Sequence, residues 1–120
     1  MIKIVIKGDP IPAARPRFDG KHTYQPEKNR SYRQEVQLAA TLAMRGHEPI
    51  RGPVLVDVKL YRRFKPTGRK YGDVDNHLKA LFDGLNGIAF VDDSQIVRCV
   101  VEKHLDCQCP RTEVILAKKA

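Results

Sequence analysis

Apolar positions recur along this chain with two different periods. Ile2, Ile4 and Ile6 alternate with Lys3, Val5 and Lys7, the two-residue period of a half-buried strand. Val54, Val56, Val58 and Leu60 repeat it against Leu55, Asp57, Lys59 and Tyr61, and two further strands are predicted over Ile96–Lys103 and Thr112–Ala117. Between the first two strands the period becomes helical. Tyr32, Val36, Ala40 and Ala43 form one stripe in a segment that Pro26 and Glu27 open and Gly46 closes, which predicts a helix to about Arg45. A shorter helix is expected over about Asp75–Leu85, closed by Gly84 or Gly87. Gly8-Asp9-Pro10 ends the first strand, and Pro10, Pro12 and Pro16 keep the Arg-bearing stretch Ile11–Arg17 extended and non-helical. The order β-α-β-α-β-β predicts an α+β fold, a small mixed sheet packed with two helices and ending in a C-terminal hairpin.

The chain's 120 residues suit one domain spanning 1–120, without repeats or low-complexity tracts. Charge adds more. Twenty-two Lys and Arg against fourteen Asp and Glu leave a formal charge of +8. Such a chain attracts polyanions, because neutralising phosphates releases condensed counterions, although many small proteins are basic without any such partner. Met1–Gly8 does not read as a signal peptide, and no apolar run approaches the roughly 20 residues of a membrane span. With an odd count of three cysteines, a reducing, cytoplasmic setting without membrane association is expected. His104-x-x-Cys107-x-Cys109, with Cys99 nearby, has zinc-ligand residue types, but its spacing fits no standard finger or knuckle. Cys107 and Cys109 read as parts of a turn, and strand alternation points Cys99 inward.

Against the basic background, four acidic residues gather in Asp73-Val74-Asp75 and Asp92-Asp93. Like charges repel, and a hard divalent cation such as Mg²⁺, which takes oxygen ligands, would offset that. It could polarise a scissile phosphate, generate hydroxide and stabilise the leaving oxygen. Asp73 and Asp75 fall at a helix entry, where both side chains can reach one point across an extended Val74, while Asp93 has to converge from a separate segment. Lys79 lies one helical turn after Asp75 and could offset transition-state charge. Plainer readings stand beside this one. Asp73 or Asp75 serves as a helix N-cap, Asp75 and Lys79 form an exposed ion pair, and Asp92-Asp93-Ser94 is a turn.

The stretch Asp73-Val74-Asp75-Asn76-His77-Leu78-Lys79, continuing through Leu81-Phe82-Asp83-Gly84-Leu85-Asn86-Gly87 to Asp92-Asp93-Ser94-Gln95-Ile96-Val97, resembles the RusA family of Holliday junction resolvases. Gly8-Asp9-Pro10-Ile11-Pro12, Arg15-Pro16-Arg17 and Tyr24-Gln25-Pro26 look like its phage, prophage and Gram-positive branch, so the resemblance covers nearly the whole chain. It implies a homodimeric endonuclease that cuts four-way DNA junctions symmetrically with Mg²⁺, Mn²⁺ being able to substitute, in recombination and repair. It places catalytic and metal-binding aspartates at Asp73, Asp75 and Asp93, with Asp92 as a further candidate ligand, and the catalytic lysine at Lys79. Asn76 and Asp83 also fall on motif positions. Ala13 and Ala14 stand where many relatives carry a basic residue, Gly72 stands where a proline is common, and His77 replaces a common apolar residue and is expected to be exposed.

Arg15, Arg17, Lys65, Arg69 and Lys70 are the candidate phosphate contacts, with Asn76 beside them, and Lys21, Arg62 and Arg63 extend the set. About half of such residues are expected to be ordinary solvated surface. Phe18 and Tyr24 could stack on a junction or pack beneath the loop.

Overall fold

In the computed structural model, which describes residues 1–14, 17, 18, 20, 23, 24 and 26–120, the alternating segments become strands and the helical stripes become helices. β1 (Ile2–Lys7) is followed by a short antiparallel pair, β2 (Arg17–Phe18) and β3 (Thr23–Tyr24), within the stretch expected as an extended loop. Then come α1 (Glu27–Ala43), β4 (Val54–Arg62), α2 (Val74–Leu85), β5 (Ile96–Leu105) and β6 (Arg111–Lys118), with a 3₁₀ turn at Asp93–Gln95 leading into β5. The main sheet has the order β1-β6-β4-β5. β4 runs parallel to β5 and antiparallel to β6, and β6 runs antiparallel to β1.

β5 and β6 are therefore not a hairpin, which corrects the sequence expectation for the C-terminus. The chain leaves β5, crosses the end of β4 and inserts β6 between β4 and β1. The crossing has its own chemistry. Asp106 N–H donates to the Arg62 carbonyl at the end of β4 (2.8 Å), and the Asp106 carboxylate accepts from the N–H groups of Gln108 and Cys109 and from Arg111. Sequence order suggested adjacency, but β4 and β6 take the two inner positions of the sheet, each with a neighbour on either side.

One face of the sheet carries the core. Ile4 and Ile6, then Val54, Val56, Val58 and Leu60, then Val114 and Leu116 are buried against Tyr32, Val36 and Ala40 of α1 and Leu81 and Leu85 of α2. Burial of such side chains contributes roughly 1.5–3 kcal/mol each, far more than helix or strand propensity, so the period-2 and helical stripes decide the fold. The Tyr32 hydroxyl reaches Thr112 Oγ1 across this core (2.8 Å), and burial pushes its pKa up to about 12. Gly84 is not the helix stop that its type suggested. It lies inside α2 where α1 crosses, and a Cβ there would sit 2.6 Å from Val36 Cγ1, so the missing side chain is what lets the helices approach. Gly87, with φ +79°, makes the turn after α2.

Candidate functional site

Asp73 occupies the N-cap position of α2 in extended backbone (φ −73°, ψ 147°), yet its side chain makes no capping hydrogen bond. Among the described residues the Asp75 carboxylate accepts only a local bond from the Asn76 N–H (3.1 Å), and no ion pair joins it to Lys79. Both aspartates, Asn76 and Lys79 are exposed. The plain roles weighed for the pair, cap and ion pair, are thus not the ones their carboxylates perform. The approach to this helix end is held firmly. Ala13 N–H donates to the Asn76 carbonyl (2.9 Å), and Asn29 Nδ2 donates to the Pro12 carbonyl (2.9 Å), tying the 10–14 segment to both helices.

Beneath the aspartates lies a buried polar layer. His77, expected at the surface, is only 2 % exposed, and its Nε2–H donates to the Tyr71 carbonyl (2.6 Å). Desolvation lowers its pKa, which favours the neutral ring. Gly72 explains the fit. With φ +97°, it presents its bare Cα to His77 Nε2 and Pro12, each of which would lie 2.9 Å from a Cβ. Tyr71 is fully buried, with its hydroxyl donating to the Leu60 carbonyl (2.7 Å) and accepting from the His104 N–H (3.1 Å). The loop before Asp73 is thereby pinned to the ends of β4 and β5.

Arg62, counted among possible phosphate contacts, belongs to this layer too. It is 6 % exposed and bonded to Asp9 and to the Lys70 and Tyr71 carbonyls, so it shapes the loop and is not available to DNA. Lys65, Arg69, Lys70 and Arg63 remain exposed on that same loop, immediately before the aspartates. Arg15 and Lys21, and the side chains of Arg17, Phe18 and Tyr24, lie outside the described residues.

Lys103 is a residue that the motif did not single out. Its ammonium reaches the Gly72 carbonyl (3.2 Å), one residue before Asp73, and lies 5.0 Å from the Tyr71 ring centroid. A signal was present in the sequence, since Lys103 shares the parity of Val101, which packs against the core. On the neighbouring side, Lys79 and Asp83 of α2 line a surface depression with Asn29 and Arg33 of α1 and with Ala13 and Ala14.

Asp92 and Asp93 open β5. The Asp92 carboxylate accepts from the Ser94 N–H (3.0 Å), and Gln95 Oε1 accepts from the Asp92 N–H (2.8 Å), a reciprocal cap on the 3₁₀ turn. The Ser94 bonds hold the Asp92 carboxyl below the usual carboxylate range. Gln95 Nε2 donates in turn to the Ile50 and Gly52 carbonyls (2.8 and 2.9 Å), so this turn is fixed beside the start of β4. Asp73 stands by Lys103, near the other end of β5. Lys103 lies seven steps along β5 from Ile96, which at about 3.3 Å per residue puts roughly 23 Å between the two acidic segments. Among the described residues no group of three His, Cys, Asp or Glu side chains is gathered as a metal site. One chain thus joins Asp73 to Asp75 but does not bring Asp93 to them. Cys99, Cys107 and Cys109 are all exposed free thiols, Cys99 contrary to its expected inward burial.

The family model described as endodeoxyribonuclease RusA matches residues 7–117, which takes in both acidic segments, the basic loop and the buried layer. The chain belongs to the RusA endodeoxyribonuclease family. Its activity class is accordingly hydrolysis of DNA phosphodiesters at Holliday junctions, and its substrate class is branched DNA. Nucleases of this family are generally dependent on divalent metal. The chain is also 34% identical over 141 aligned positions to an uncharacterised protein, YqaN, of Bacillus subtilis (strain 168), with 96% of this chain and 94% of that protein covered. Among the described residues, no helix is long and apolar enough to cross a membrane.

Proposed function

We propose that this RusA-family protein resolves four-way DNA junctions by paired, symmetric cleavage, acting as a Mg²⁺-dependent homodimer in recombination and repair. The observation that carries the reading is the exposed pair Asp73 and Asp75 at the entry of α2, neither committed to a cap or an ion pair, directly after a loop of exposed cations. Mg²⁺ is commonly held by one or two carboxylates together with substrate phosphate, and this helix entry offers that donor set. Lys65, Arg69 and Lys70 would position the duplex through its phosphates without reading its sequence. Lys79, one turn beyond Asp75, would stand near the charge that develops on the leaving oxygen. The buried His77–Tyr71–Arg62 layer holds the loop that carries the pair, so it supports the carboxylates without touching DNA. A junction has two continuous strands to cut, and a two-fold dimer offers two equivalent sites for them.

The decisive experiment compares wild type with Asp75→Asn on a synthetic four-way junction, with and without Mg²⁺. Wild type should release two nicked duplexes, and the variant should bind the junction with unchanged affinity and leave it intact. Full cutting by the variant, or equal cutting of linear duplex by wild type, would overturn the reading.

A further inference from the structure

The depression between α1 and α2 begins one helical turn beyond the exposed aspartates. Its walls are small or already engaged. Ala13, Ala14 and Ala80 contribute no more than a methyl group each. The Asn29 amide is tied to the Pro12 carbonyl, and the Tyr32 hydroxyl to Thr112. The fold therefore holds open a notch of about 100 Å³, enough for a phosphate group and far too small for a base pair. Arg33 enters it from α1 and Lys79 from α2. The helix crossing brings the two together. A Cβ on Gly84 would lie 3.5 Å from the Arg33 carbonyl oxygen, so α1 passes directly over this part of α2. Both cations are exposed, and among the described residues neither enters an ion pair, although Asp83 lines the same notch.

We propose that this notch is a phosphate subsite, in which Arg33 binds the phosphate next to the scissile one on the cleaved strand. The inference rests on reading Asp73 and Asp75 as the place of cleavage. At 1.5 Å per residue, Lys79 lies about 6 Å along α2 from Asp75, and Asp83 about 6 Å further, all on one face. Each step is close to the spacing of successive phosphates on one DNA strand. A strand laid along α2 with its scissile phosphate at the carboxylates therefore presents its next phosphate to the notch, beyond Lys79 on the side of the leaving oxygen. Arg33 suits such a group, because its planar fork gives two parallel N–H bonds to phosphate oxygens. Two cations against one carboxylate leave the notch with one net positive charge, which matches a single phosphodiester. The basic loop precedes Asp73 and the notch follows Asp75. Together they grip the strand on both sides of the scissile phosphate and fix which phosphate the carboxylates meet.

Binding measurements test this without cleavage. Synthetic four-way junctions carry one methylphosphonate, which is uncharged, at either phosphate adjoining the scissile one, and affinities are measured without divalent metal. The substitution on the leaving-oxygen side should weaken wild-type binding about tenfold, the scale of one charge-assisted contact. Arg33→Ala should bind the unmodified junction about tenfold more weakly than wild type and be indifferent to that same substitution, because the contact is already gone. Losses that multiply would show that Arg33 meets some other group and would overturn the subsite, as would wild-type affinity in Arg33→Ala. A second variant, Ala14→Glu, keeps Arg33 and adds a carboxylate to the exposed wall of the notch. It should weaken binding of the unmodified junction, and the leaving-side methylphosphonate should remove most of that loss. A loss of the same size on both junctions would mean that no phosphate enters the notch. Cutting with Mg²⁺ is scored separately on the unmodified junction. Coupling between Arg33 and that phosphate, with no cutting by wild type, would sink the nuclease reading and leave the subsite standing. Cutting without coupling would remove the subsite alone.

Discussion

Arg62 grips Asp9 with two parallel bonds, Nε to Oδ1 at 3.0 Å and Nη2 to Oδ2 at 2.8 Å, across 53 positions of sequence. The pair ties the segment after β1 to the end of β4, and the same guanidinium holds the Tyr71 carbonyl. Removing one partner of a buried pair costs more than the pair itself contributes, because the survivor stays desolvated. Arg62→Ala should therefore cost on the order of 2 kcal/mol, below the fully buried range of that effect because the Asp9 side chain is 38% exposed. Urea denaturation of the two chains measures it. Arg62→Lys should not restore the loss, since an ammonium cannot make the paired geometry.

The close crossing of α1 on α2 at Gly84 leaves no room for a methyl group. Gly84→Ala should lower stability by about 1–3 kcal/mol despite alanine's better helix propensity, the overpacking outweighing a gain near 1 kcal/mol. Thermal unfolding would show it as a lower Tm. A raised Tm would mean that the helices can slide apart at no cost.

Exposed cations before Asp73 and the buried Arg62 should separate in a salt titration. Replacing Lys65, Arg69 and Lys70 with Ala should reduce the slope of log K against log salt for junction binding by about 0.9 for each phosphate that is no longer neutralised. Arg62→Ala, assayed where it is folded, should leave the slope unchanged. Equal slopes for wild type and the triple variant would place the DNA elsewhere on the surface.

Asp106 should give stability a local acid dependence. The N–H of Cys109, then Arg111 and the N–H of Gln108, hold its carboxyl below the ordinary value of 3.8. The unfolded chain thus takes up the proton first as pH falls. The stabilisation is fully present above the ordinary aspartate range and is lost as pH drops through the folded-state value. Wild type should exceed Asp106→Asn in Tm at pH 6, and the difference should shrink below about pH 4. A gap that is constant with pH would show that the charged form is not what the turn recognises.

Particular residues show how far the sequence could be read. Val54, Val56, Val58 and Leu60 specified a strand and its buried face, and Tyr32, Val36 and Ala40 specified the inward side of a helix, because local periodicity and burial coincide there. The Asp73–Asp75 pair was legible for the same reason, being two neighbours on one short segment. His77 and Arg62 were misjudged as surface groups. Their burial depends on partners distant in the chain, on the Pro12 segment packed by Gly72 and on Asp9, and no local pattern encodes that proximity.

The sequence by itself determined the two helices, the four strands of the main sheet, most of their inward faces and the family, since each is written in residues close together along the chain. It could not decide strand order. Whether β6 lies beside β5 or between β4 and β1 depends on which partners satisfy each strand's two edges, a choice made by the sheet as a whole. That choice left β5 with an open edge and put Asp73 and Asp93 at its two ends. A parallel β4–β5 pair forces the separation, because the chain must leave one end of the sheet and return to the other through α2 before β5 can begin. Only the tertiary structure shows that three aspartates close in a motif are not close in one folded chain.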